Sequence, residues 1–264
     1  MLFYTAVPKL SAQDKFLDLS DYGRPLATLL VKILKNTWVT PIHVTLLFGV
    51  AGLLAIGCIL QDHYWAAGLL IILKSILDAA DGELARAKQT PSYTGRYLDS
   101  VFDIVLNFLF LMTICFVSET TFLYAFLAFI SIQLQGTLYN YYYVILRNQC
   151  IGGDSTSHVF EDKSPGALSG ESQRSVDALF TLYTVFYRVF DKTIQCLDQG
   201  AHKVVSNFPN WFMTLVSVYG LGFQLLIIAV MLPMGWIEYI APFFIIYSVF
   251  IFVLIGIRKS FRTF

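Results

Sequence analysis

The chain has 264 residues, of which 56% are hydrophobic and 14% charged, with 18 basic side chains against 18 acidic ones. With a mean hydropathy of +0.64, these values exclude a pair of ordinary soluble domains and point to an all-α, multi-pass integral membrane protein. Cys58, Cys115, Cys150 and Cys196 show neither a disulfide framework nor metal-ligand spacing.

The N-terminal stretch has no basic region followed by a long apolar one, so no cleavable signal peptide is expected. Pro25 then opens a segment with Leu26, Leu29, Leu30, Ile33 and Leu34 on one face and Lys32 and Lys35 elsewhere. That pattern predicts an amphipathic helix lying in the membrane interface. Thr40 and Pro41 interrupt the chain, and residues 42–60 form the first span. The second span is expected over 65–86, because the apolar part before Asp78 is too short to cross a hydrocarbon core of roughly 30 Å. A loop with Pro91 leads to a third span at 95–117 and a fourth at 121–145, which ends in Tyr139, Tyr141, Tyr142 and Tyr143. Such a tyrosine cluster suits the membrane boundary.

Residues 147–210 are polar, with Gly152, Gly153, Ser155 and Ser157 near their start. Val176, Leu179, Phe180, Tyr183, Phe186, Phe190, Ile194 and Leu197 then form one helical stripe, read as a second interfacial helix; the alternative is a helix packed on its own lobe. Spans five and six are expected at 211–232 and 236–257. The chain thus divides into an N-terminal segment (1–41), four spans (42–146), a long loop (147–210) and two further spans with a tail (211–264). Every one of the 18 Lys and Arg residues except Lys74 falls on one side of this map. By the positive-inside rule both termini are cytoplasmic.

Four aspartates violate the apolar pattern. Asp78 and Asp81 lie in the second span and Asp99 and Asp103 in the third, on helical faces at i, i+3 and i, i+4. An Asp at mid-membrane costs about 2.5–3.5 kcal/mol, so four together require protons, water or cations. Asp78 and Asp103 each lie about two turns inside the cytoplasmic loop, and Asp81 and Asp99 about one turn. Two tiers are therefore expected, Asp81 facing Asp99 and Asp78 facing Asp103, in a site that opens to the cytoplasm. Oxygen ligands without His or Cys favour Mg2+ or Mn2+. One alternative is a buried ion-pair network of the acids with Lys74, Arg86 and Arg96; another is a cation-transport or cation-binding protein.

The pattern Asp78-x2-Asp81-Gly82-x2-Ala85-Arg86-x8-Gly95-x3-Asp99-x3-Asp103 resembles the signature of the CDP-alcohol phosphotransferase family. The resemblance implies six transmembrane helices, a homodimer, and transfer of a substituted phosphate from a CDP-alcohol to an acceptor alcohol with release of CMP. At least one substrate would be a lipid, and no nucleic acid is involved. It also implies that Asp78, Asp81, Asp99 and Asp103 hold two divalent ions and that Asp103 is the base. Gly82 and Ala85 would leave room for the nucleotide, Arg86 would meet phosphate or nucleotide, and Gly95 would permit close helix approach. Lys74, one turn before Asp78, is read as an ion-pair partner or as an acceptor contact. Family members commonly carry Pro-Asn-x-x-Thr at the entry to the first span; here Pro41 and Thr45 match and Ile42 replaces the Asn. Thr45 is expected to contact substrate, and His43 is either a substitute for the Asn or a structural residue. The motif is silent between CDP-diacylglycerol with a small polar alcohol and CDP-choline or CDP-ethanolamine with diacylglycerol.

Overall fold

A computed structural model describes residues 10, 15–149, 161–203 and 208–261. Among these, every regular element is helical. Gly152, Gly153, Ser155 and Ser157, at the start of the polar loop, lie outside the described residues.

Helix α1 (Arg24–Leu34) follows a short 3-10 turn and leads to α2 (Pro41–Leu60), α3 (Tyr64–Ala87), α4 (Tyr93–Val117) and α5 (Phe122–Gln149). After the loop come α6 (Gln173–Leu197), α7 (Asn210–Val216), α8 (Leu221–Met231), α9 (Ile237–Tyr247) and α10 (Phe250–Ser260). Among the described residues, four segments are long and apolar enough to cross a membrane: α2, α4, α5 and the α9–α10 run from Ile237 to Ser260. The pair α7 and α8, bent by 50°, makes a fifth if counted as one span. Helix α3 has 24 residues, about 36 Å at 1.5 Å per residue, but it carries Lys74, Asp78, Asp81, Glu83 and Arg86. The sixfold count expected from the sequence is therefore reached only if α3 and the bent pair both cross.

The bend corrects the expectation of one continuous helix over 211–232, and glycine is its cause. Gly220 has an extended backbone, with φ −66° and ψ 147°. A Cβ on Gly222 would lie 1.9 Å from the carbonyl oxygen of Ser20. The N-terminal 3-10 turn (Leu19–Asp21) thus packs directly on the break, where only glycines admit it.

Helix α3 packs along α2 and against α1 and α8, and α4 lies against α2, α5 and α6. Pro41 at the first helical turn and a reciprocal Thr40–His43 cap start α2. The main apolar core includes Phe48, Ile71, Phe110, Ile114, Leu225 and Phe244, and a second one around Tyr142, Phe212 and Leu254 joins α5, α7 and α10. Helix α1 buries Ala27 and Val31 in a third cluster with Ala80 and Leu84 while Leu26, Leu29 and Ile33 stay exposed.

Helix α6 has protein contacts along its apolar stripe. Its stripe turns inward: Phe180 and Tyr183 pack on Tyr97 with ring centroids 5.6 and 5.2 Å apart. Phe190 meets Phe129 at 6.3 Å. The aromatic faces on α4 and α5 give the stripe a protein partner, while Leu182, Val185 and Val189 on the same helix stay exposed. At its C-terminal end, buried Asp198 accepts from Tyr142 Oη at 2.7 Å and pairs with buried Arg258 of α10.

Candidate active site

The antiparallel pair α3 and α4 brings Asp78, Asp99 and Asp103 together, with one oxygen from each lying within 4.8 Å of the others. Asp99 Oδ1 is buried and has no hydrogen-bond partner among the described residues. An orphaned acceptor among three convergent carboxylates fits a hard cation. The tiers predicted from depth hold for Asp78 and Asp103 but not for the shallower pair, since Asp99 joins them. Asp81 is turned toward α2, where its Oδ2 accepts from Thr45 Oγ1 at 2.6 Å.

Lys74 is fully buried, pairs with Asp103 and lies 3.9 Å from Asp78 Oδ2. Its ammonium also stands 4.7 Å from the centre of the Phe48 ring. This is the ion-pair alternative anticipated for it; among the described residues neither Arg86 nor Arg96 forms an ion pair with the four aspartates. Arg96 pairs instead with Glu161. The Nε and Nη2 of Arg86 are buried without a hydrogen-bond partner among the described residues, and its Nη1 lies 3.6 Å from where a Cβ on Gly82 would be. Nothing else crowds that position, so the space beside Gly82 is open. At Gly95 a Cβ would sit 3.2 Å from Ser92 Oγ and 3.8 Å from Ile42 Cγ1. Ile42, in place of the family Asn, thus faces the start of α4. Ala85 is half-buried on α3. His43 Nδ1 accepts from the Thr40 amide at 3.0 Å, which makes His43 part of the helix cap.

Several residues around the site carried no local sequence signal. Glu171 accepts from the amides of Tyr93 and Thr94 at 3.2 and 2.7 Å and from Ser92 Oγ at 2.7 Å. It thereby closes the N-terminus of α4, whose first amides have no partner within the helix. Partial burial opposes ionisation of Glu171, but these hydrogen bonds prevail and hold its carboxyl below the usual range. Tyr187 Oη of α6 donates to the carbonyl of Ser100 at 2.9 Å, on the turn between Asp99 and Asp103. Glu83 is fully buried, accepts from Thr28 Oγ1 at 3.0 Å and lies 3.7 Å from Arg24 Nη1. These contacts join residues distant in sequence, so periodicity gives no notice of them.

Residues 38–156 match the family model described as CDP-alcohol phosphatidyltransferase. A stretch of 55 residues is 47% identical to a protein of Archaeoglobus fulgidus named "Bifunctional IPC transferase and DIPP synthase"; it covers 21% of this chain and 11% of that relative. Residues 38–156 contain the carboxylate cluster, both motif glycines and the Thr45–Asp81 contact, whereas α1 and α6 to α10 lie outside them. Residues 38–156 therefore carry the match to a CDP-alcohol phosphatidyltransferase domain.

Proposed function

We propose that the protein is a transferase of polar-lipid synthesis that moves a substituted phosphate from a CDP-alcohol to an acceptor hydroxyl and releases CMP. The observation that carries this is the Asp78, Asp99 and Asp103 cluster, placed within the segment that matches the family. With Asp81, these carboxylates would hold one or two Mg2+ or Mn2+ ions. The chemistry such ions would supply is neutralisation of the diphosphate and of the charge developing on the leaving CMP.

The residues of the chain supply the rest. The donors of Arg86 that lack partners suit the diphosphate oxygens, and the open space beside Gly82 suits the nucleotide. Asp103 takes the acceptor proton as the hydroxyl oxygen forms its bond to phosphorus; the anhydride P–O bond breaks, and CMP leaves with the electron pair. Lys74 orients Asp103, and Thr45 orients Asp81. Gly95 lets the start of α4 sit close to Ile42. At least one of the two substrates is a lipid reached from the bilayer. The distribution of Lys and Arg supports six spans with cytoplasmic termini and a site open to that face. The four-part division of the chain and a homodimer complete the proposal.

The test is CMP release by the purified full chain with Mg2+ or Mn2+ and a panel of pairs: CDP-diacylglycerol with polar alcohols, then CDP-choline and CDP-ethanolamine with diacylglycerol. Asp103→Asn is expected to lower the rate roughly a thousandfold. Divalent-ion flux into proteoliposomes without any CMP release would replace this reading with the transport one.

A further inference from the structure

Between α5 and α6 lies an open cleft of about 720 Å3, mouth included. Its α6 wall is outside the segment that matches the family. Without the open mouth the cavity is about 80 Å3, below the roughly 300–1,000 Å3 of drug-sized sites and fit for a small ligand. About half of the lining is polar, with Thr137, Asn140, Tyr183, Thr184, Asp191 and Lys192. Thr184 Oγ1 is buried without a hydrogen-bond partner among the described residues. A hydroxyl left unsatisfied beside a cleft is a cost that a hydrogen-bonding ligand relieves. An acyl chain would relieve nothing here and would desolvate the amide and the charged groups.

The cleft also adjoins the carboxylates. Tyr183, in its wall, stacks on Tyr187 with centroids 5.0 Å apart. Tyr187 in turn donates to Ser100 on the turn that bears Asp99 and Asp103. One pair of tyrosines therefore separates the polar cleft from the reacting groups.

We propose that this cleft binds the acceptor, and that the acceptor is a small, water-soluble, hydroxyl-rich alcohol read by Thr184, Asn140 and Asp191. The inference rests on the transferase reading and selects, within it, a lipid-linked CDP donor with a polar acceptor. The transferred group then joins the acceptor hydroxyl that passes Tyr187 to reach Asp103.

Full-length protein in nanodiscs is assayed with CDP-diacylglycerol and myo-inositol, glycerol or serine, and separately with CDP-choline and diacylglycerol. The expected result is turnover with a water-soluble alcohol and a rise of tenfold or more in its KM on Thr184→Val and on Asn140→Leu. The donor KM should stay within twofold, which also establishes that each variant is folded; if one variant misfolds, the other carries the test. Unchanged acceptor KM in the folded variants, or turnover with diacylglycerol as sole acceptor, overturns the inference and leaves the transferase reading standing. No CMP from any pair with the unsubstituted protein overturns both.

Discussion

Lys74 and Thr45 hold two of the four carboxylates from outside the motif, and they do so by different physics. The Lys74 ammonium is a full charge with no exposed surface, tolerable in that position only because Asp103 and Asp78 face it. Lys74→Met removes the partner and leaves buried carboxylates unneutralised. We expect a loss of about 3–5 kcal/mol, seen as a lower thermal midpoint without divalent ions, and recovery of most of that loss in the double variant with Asp103→Asn. A double variant no more stable than Lys74→Met alone would mean that the pair is not the stabilising unit. Thr45 offers a single hydroxyl to Asp81. Thr45→Val keeps the shape and deletes the donor, so Mn2+ affinity should weaken by about 10–100-fold with little change in stability, as for other groups that orient metal ligands. Titration with Mn2+ followed by electron paramagnetic resonance reads this directly. At this scale the sequence was legible where chemistry is costly: four aspartates in apolar helices announce a site by spacing alone. The same spacing could not say that Asp81 leans on α2 while Asp99 joins the deeper pair, because side-chain direction depends on what the neighbouring helix offers.

Helix α6 shows where pattern reading stops. Its stripe was plain, but a stripe states only that one face is apolar, and lipid and protein satisfy it equally. Its protein contacts come from Tyr97 on α4 and Phe129 on α5, together with Glu171 at the start of α4. Asp191 makes this packing sensitive to pH. Burial first, and then the charge of Glu161, push its carboxyl up to about 7, against the opposing effect of Arg96. The unfolded value is about 3.9, so the folded state holds the proton more tightly between these two values. Stability of the α6 docking is therefore full below about pH 4, falls as pH rises toward 7, and is flat above. Asp191→Asn should abolish that decline and, above pH 7, stabilise α6 by about 1–2 kcal/mol once the screening of a partly exposed group is allowed for. Hydrogen exchange of the α6 amides at pH 5 and pH 8 checks it: the wild type should exchange faster at pH 8 after correction for intrinsic rates, and the variant equally at both. A pH dependence that survives the substitution would place its origin elsewhere than at Asp191.

For the whole molecule the decisive question is whether α3, the helix that carries half of the carboxylates, crosses the bilayer. Composition speaks against it, since Lys74, Asp78, Asp81, Glu83 and Arg86 put five charges on this helix. Packing speaks for it. Lys74 and Glu83 have no exposed surface, whereas the exposed face of α3 bears Trp65, Leu69 and Leu73; lipid would meet only apolar groups there. Connectivity adds a stronger constraint. Helices α2 and α4 are both long and apolar enough to cross, and α3 starts at Tyr64, just after α2 ends at Leu60, and stops at Ala87, just before α4 begins at Tyr93. Turns that short join antiparallel neighbours, so if α2 and α4 cross in the same sense, α3 must return the chain through the bilayer. The ends of α3 then lie on opposite faces. In a cysteine-free background reconstituted in sealed vesicles of one orientation, Gln61→Cys and Thr90→Cys should react with a membrane-impermeant maleimide from opposite sides. Thr90→Cys should share its side with a cysteine kept at position 196, which is exposed on α6. Labelling of positions 61 and 90 from the same side would show that α3 does not cross, and the carboxylate site would then have to open in some other direction than the cytoplasmic end of a transmembrane pair.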